Sequence, residues 1–298
     1  MNTDVLTIVM NGLMRRYQER VPDVPAVIDA MIAEGIIKNS AEIENDHIAF
    51  RTMGVENLGI GSFEKIFLHL GYTKRDFYNF PEKKLNAFWY APPAPEFPRI
   101  FVSELRVNQL SDEAQDIIRS YTDEVTTDPV DALDLNDGLA IDAFLHKALW
   151  RTPKLDDYKM LLQESEYAAW VIYNRYYLNH FTVSVHNLPE GFNTCQAFTD
   201  FLEAKGFKIN SAGGKVKQSP DGVLLQSSTV AQMIETTFAD GEQYTIAGSY
   251  VEFAERRVLP QFAHLKPSEI GRQHRRDGFE ANNADKIFES TFTTQTSR

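Results

Sequence analysis

The sequence predicts an α+β fold in which two βαββ(β) units pack side by side around a shared polar interior, with additional helices. Three observations carry this. The same order of elements occurs twice. Each copy opens on a strand with a histidine, "NDHIAFRTM" at 45–53 and "LNHFTVSV" at 178–185. Each closes on a strand with a glutamate set among apolar residues, "FVSEL" with Glu104 and "YVEF" with Glu252.

Residues 1–298 read as one domain: a helical segment 1–40, a βαβββ unit 45–108, a helical insertion 109–178, a second βαβββ unit 179–258 and a tail 259–298. Leu6, Val9, Met10, Leu13 and Met14 recur at helical spacing, and the helical pattern resumes after Pro22. In "NDHIAFRT" the alternation puts Ile48 and Phe50 on one face and His47, Ala49 and Arg51 on the other. Phe63, Ile66, Phe67 and Leu70 mark a helix face. "FPEKKLNAFWYAPP" and "PRIFVSELRV" read as strands, and "TKRDFYNF" is the candidate for a third strand hidden before them. Ser111 is a plausible helix cap, and "DDYKMLLQESEYAAWVIYNRYYL" has long helical periodicity. The second unit continues with a helix ending at Gly206, a glycine-rich hairpin over 207–231 and one strand, "QYTIAGSYVEFAERRVL". The tail is polar and gathers Arg272, Arg275 and Arg276, either as a solvated turn or as cover for a site mouth.

With 298 residues, 43% hydrophobic and 24% charged, the chain can bury a substantial core. A net charge of −12 argues against nucleic acid or an anionic membrane as partner, and no apolar run approaches the ~20 residues of a membrane span. A lone cysteine, Cys195, suits a reducing compartment, and the first residues lack a signal-peptide pattern. The expectation is a cytoplasmic protein.

Packed side by side, the two units bring His47, His180 and Glu252 toward one cavity. Two imidazoles and a carboxylate with open positions form the facial triad of non-haem Fe(II) oxygenases, and the same set also holds Mn²⁺ or Zn²⁺. His186 and Glu255 compete with His180 and Glu252, although a three-residue step turns Glu255 to the other face. Arg51 lies four residues beyond His47, about 13 Å along the strand, where a guanidinium can anchor an anion whose other end meets a metal. A salt-bridged surface arginine is the plainer alternative. No P-loop, G-x-G-x-x-G or G-x-S-x-G motif is present.

"DHIAFRTM", "IFVSEL", "LNHFT", "YVEFAERR" and "DGFEANNADKIFEST" together resemble the 2-oxoadipate dioxygenase/decarboxylase family, over roughly residues 30–292. The resemblance implies a fold like that of vicinal-oxygen-chelate proteins. It implies Fe(II) held by His47, His180 and Glu252 (with Zn, Mn or Ni as other divalent candidates), and Arg51 as the catalytic, substrate-binding arginine. It also implies conversion of a 2-oxo dicarboxylic acid, 2-oxoadipate, and O₂ to 2-hydroxyglutarate and CO₂ in lysine breakdown. Glu104 is then a fourth ligand, a supporting residue or a helper to Arg51. The competing expectations are a glyoxalase-like isomerase or lyase that uses Glu104 as fourth ligand, and a metabolite-binding protein that keeps Arg51 without catalysis.

Overall fold

A computed structural model describes residues 3–297. Helices α1 (Thr3–Arg20) and α2 (Asp23–Ala33) precede the first unit, and α1 buries Leu6, Val9, Leu13 and Tyr17 along one stripe. The first unit runs β1 (Asn45–Met53), α3 (Ile60–His69), β2 (Thr73–Phe80), β3 (Leu85–Ala91) and β4 (Arg99–Leu105), so "TKRDFYNF" is the hidden strand. Four helices follow: α4 (Asp112–Thr122), α5 (Gly138–Leu145), α6 (Leu155–Glu164) and α7 (Glu166–Asn174). The long periodic stretch 156–178 is therefore two helices. Ser165 is extended between them, and its side chain accepts the Ala168 N–H, starting a new helix.

The second unit runs β5 (His180–Ser184), α8 (Cys195–Ala204), β6 (Lys217–Gln218), β7 (Leu224–Ser228), β8 (Met233–Thr237), β9 (Gln243–Ala247) and β10 (Tyr250–Arg256); α9 (Ala281–Phe288) lies in the tail. The single strand expected over 243–259 is broken. Gly248 donates to Gln232 and accepts from Trp170, and Ser249 bonds the Leu178 carbonyl. These contacts turn β9 out to pair with β8 in a separate two-stranded sheet.

The other eight strands form one curled sheet in the order β2-β3-β4-β1-β5-β10-β7-β6. Each unit pairs its first strand in parallel with its last, β1 with β4 and β5 with β10, and the units meet where β1 runs antiparallel to β5. Ile48 faces Phe181 in that seam, so an approximate twofold through the pair exchanges His47 with His180. Phe50 packs its ring on Phe63 and Phe67 of α3, while His47, Ala49 and Arg51 turn to the concave side. Both faces of β1 are buried. No helix among the described residues is long and apolar enough to cross a membrane.

Candidate metal centre

The concave side holds a narrow pocket in which His47, His180 and Glu252 converge. Their ligand atoms all lie within 4.8 Å of one another. His47 Nε2 is 3.3 Å from His180 Nε2, and the Glu252 oxygens are 3.5 Å from the first and 3.1 Å from the second. Strand register explains the convergence. Tyr250 pairs with His180 and Glu252 with Thr182, which places the carboxylate two residues along β10 on the same face as both imidazoles.

Each imidazole is oriented by the residue before it. His47 Nδ1 donates to Asp46 Oδ1 at 2.8 Å, and His180 Nδ1 donates to Asn179 Oδ1 at 3.0 Å. With both Nδ1 protons committed, both Nε2 atoms present lone pairs to each other and to a carboxylate. Buried lone pairs so close call for a cation between them, and an N, N, O donor set suits a divalent metal. The electrostatics agree. Burial works against the charged form of His47, yet Glu252 and Asp46 outweigh it and lift its pKa. Burial prevails at His180 and lowers its pKa, while the two imidazoles hold the Glu252 carboxyl far below its usual range despite burial.

A second layer fixes these groups. Asp46 accepts from Arg256 Nε at 2.6 Å, Arg256 Nη2 at 2.9 Å and Arg99 Nη1 at 3.4 Å. Gln226 Nε2 donates to Glu252 Oε1 at 2.7 Å and itself accepts from Asn283 of α9 at 3.1 Å. The Phe279 ring meets the His47 ring edge-on at 4.8 Å. Sequence reasoning missed Asp46, Asn179, Gln226, Asn283 and Phe279. The Asp-His and Asn-His pairs at matching places in the two units were a readable signal for the first two; Gln226 had none.

Arg51 sits in the same cavity, 1% exposed. It donates to Thr291 Oγ1 at 2.9 Å and to the Phe288 carbonyl at 3.1 Å, and Tyr167, Trp170 and Phe288 surround it. Burial lowers its pKa. Among the described residues no carboxylate pairs with it, and its Nε and the nearby Tyr250 hydroxyl make no well-formed hydrogen bond. The surface salt-bridge alternative is thereby excluded.

Other candidates lie elsewhere. Glu104 is on the opposite face of β4, where its Oε2 accepts the Ile60 N–H at 2.8 Å and caps α3, so neither the fourth-ligand role nor contact with Arg51 fits. The register shows why: Ser103 pairs with Arg51 on the cavity side, leaving Glu104 beside Thr52 on the other. Glu255 caps α8 in the same manner through the Cys195 N–H, and His186 bonds the backbone of β10. Cys195 is buried, which pushes its thiol pKa up. The tail does cover the cavity, but with Phe279, Ala284, Ile287 and Phe288 rather than with Arg272, Arg275 and Arg276.

Comparison with known proteins agrees with this architecture. The family model described as 2-oxoadipate dioxygenase/decarboxylase matches residues 9–265. A relative from Arabidopsis thaliana, named 2-oxoadipate dioxygenase/decarboxylase, chloroplastic, is 48% identical over 85% of this chain and 69% of its own length. The crystal structure of the Oryza sativa hydroxyglutarate synthase in complex with 2-oxoadipate superposes with a TM-score of 0.88 at 42% identity, over 97% of this chain and 93% of that one. A Ralstonia eutropha protein assigned to the glyoxalase superfamily superposes with a TM-score of 0.67 at 25% identity, over 82% and 80% of the two chains. That likeness places the curled sheet in the vicinal-oxygen-chelate fold. The plastid name of the Arabidopsis relative overturns the expectation of a cytoplasmic protein: a buried free thiol is compatible with any reducing compartment and selects none. A matched fold, a family match across most of the chain and close sequence identity converge: this chain belongs to the 2-oxoadipate dioxygenase/decarboxylase family.

Proposed function

We propose that this protein is a metal-dependent oxidoreductase that converts 2-oxoadipate and O₂ to 2-hydroxyglutarate and CO₂, with His47, His180 and Glu252 as the ligands of Fe(II). The carrying observation is one pocket lined both by a metal-type donor triad and by a buried arginine with no carboxylate partner among the described residues. Iron, when bound, supplies the electrons that activate O₂. The chain's own residues do the rest. Asp46 and Asn179 keep the Nδ1 protons in place, so both Nε2 atoms present lone pairs for a metal, that of His47 beside the Thr182 hydroxyl at 3.1 Å. Gln226 holds Oε1 of Glu252, the oxygen beside His47, and leaves Oε2 directed at His180. Arg51, fixed by Thr291 and Phe288, receives the far carboxylate of the substrate through Nε and its remaining hydrogens, with the Tyr250 hydroxyl beside it. A buried cation with no carboxylate in direct contact is costly, Glu166 acting on it only from a distance, and a dianionic substrate relieves that cost on binding. Phe279, Phe101 and Phe288 keep the cavity dry, so the anchored acid presents its 2-oxo end in a single pose.

The isomerase or lyase alternative loses its fourth ligand with Glu104 turned away. The test is direct. Protein loaded anaerobically with Fe(II) is mixed with 2-oxoadipate and with shorter 2-oxo acids, and O₂ uptake, CO₂ release and 2-hydroxyglutarate are measured. Uptake in step with CO₂ and 2-hydroxyglutarate is expected with 2-oxoadipate. Absence of substrate-dependent uptake with every acid defeats the proposal.

A further inference from the structure

The arginines of the tail serve a place of their own. Beside Asp46, at the end of the curled sheet, an open pocket of about 630 Å³ is walled by Arg99, Arg256, Arg272 and Arg275. Only two carboxylates line it, Glu44 and Asp46. Asp46 is taken up by Arg256, Arg99 and His47, and Glu44 is held by Asn187 and Ser184. Asp277 also pairs with Arg99, accepting from its Nε at 2.5 Å, so the four arginines keep a surplus of one positive charge, on a protein whose net charge is −12.

Two details show that this charge is crowded rather than diluted. Burial, together with the neighbouring guanidiniums of Arg256 and Arg272, brings Arg99 down to about 10 in spite of Asp46 and Asp277. Arg272 spends Nη1 on the carbonyls of Pro95 and Phe97, while its Nη2 is buried with no partner among the described residues. Two buried arginines, Arg99 and Arg256, beside the half-buried Arg272 with its unused donor and Arg275 are the ingredients of an anion site, since the planar fork matches carboxylate and phosphate oxygens.

We propose that this pocket is a second ligand site, separate from the metal cavity, that takes a compact dianion, either a phosphate or a short dicarboxylate. Arg256 and Arg99 form its floor and Arg272 and Arg275 its rim. Because the floor arginines also hold Asp46, and Asp46 holds His47, an occupant touches the network that orients a metal ligand. That contact gives the site a route to influence the metal without entering the cavity.

Inorganic phosphate, and glutarate in a parallel arm, are titrated calorimetrically into the anaerobic metal-loaded protein. The variants are Arg272→Gln/Arg275→Gln, Arg51→Gln and Glu44→Gln, each checked for folding by circular dichroism and for metal content. One-to-one binding of at least one probe is expected. It should weaken at least about tenfold in the double variant, persist in Arg51→Gln and tighten in Glu44→Gln. Which probe binds identifies the kind of dianion. Binding that disappears with Arg51→Gln but survives the double variant puts the anion in the metal cavity and overturns the proposal. So does the absence of binding by either probe, or tightness unaffected by Glu44→Gln. Metal content and O₂ uptake are read separately, so failure here is distinct from failure of the proposed reaction.

Discussion

Replacing Asp46 by Asn tests whether the network behind His47 matters to the metal. Asp46 is 1% exposed and takes hydrogen bonds from His47 Nδ1, from Arg256 Nε and Nη2, and from Arg99 Nη1. Asn keeps the volume and one accepting oxygen. With that oxygen toward His47, its NH₂ stands where Oδ2 was, 2.6 Å from the Arg256 Nε donor. A buried donor facing a donor, beside two guanidiniums without their shared counter-ion, costs about 3–5 kcal/mol. Loss of the charged partner of a ligating imidazole lowers metal affinity by about 10- to 100-fold. Urea unfolding of the metal-stripped protein reads the first number, and anaerobic Co(II) titration reads the second. The pH dependence adds a check. Arg256 and Arg99 overcome burial and hold the Asp46 carboxyl well below its usual range. Its folded pKa is thus below the unfolded value of ~3.9, so its stabilisation is complete above that pH and is lost as pH falls through it. Wild type should lose stability below about pH 4 more steeply than the variant. A variant within 1 kcal/mol of wild type, on the order of the error of the extrapolation, with unchanged Co(II) affinity, would refute the reasoning.

Arg51→Ala should raise KM for 2-oxoadipate by about 30- to 100-fold through loss of charge-assisted bonds, with metal content unchanged; equal loss of metal would show that Arg51 supports the ligands instead. Glu104→Gln should cost about 1 kcal/mol as a weakened helix cap and leave Co(II) affinity alone, and a metal-binding defect would restore it as a ligand. Gln226→Leu should weaken metal binding by about tenfold by releasing Glu252 Oε1, and unchanged binding would reduce Gln226 to packing.

Local pattern was enough to find the units and their first strands, because period-two alternation in "NDHIAFRT" and "LNHFTVSV" depends only on neighbours. The hidden strand "TKRDFYNF" was recoverable from the expected element count. What local pattern could not reach was set by tertiary contacts. Trp170 and Gln232 break the strand at Gly248, and Ser165 breaks the helix because its hydroxyl finds the Ala168 N–H. At the site, residue types bearing metal-ligand chemistry were legible. The residues that aim them were not, since Gln226 meets Glu252, and Asn283 meets Gln226, only after β7, β10 and α9 are brought together.

The repeat itself explains why Glu252 converges with the two imidazoles while Glu104 does not. The twofold that exchanges His47 and His180 aligns Arg99 with Tyr250, through the matching β1–β4 and β5–β10 registers. Two steps on, Phe101 aligns with Glu252, and three steps further Glu104 aligns with Glu255. The two aligned glutamates do the same work, each capping the helix of its own unit, at Ile60 and at Cys195. The carboxylate of the site has no counterpart: its mate is Phe101, which packs against Phe279 and Phe288 over the cavity. Arg51 likewise aligns with Ser184. In the proposed site one unit contributes an imidazole and the arginine for the anion, the other an imidazole and the carboxylate. With a phenylalanine at the place that matches Glu252, the three side chains His47, His180 and Glu252 would be the protein's whole donor set there, and a metal held by only three protein ligands would have room for both a 2-oxo acid and O₂.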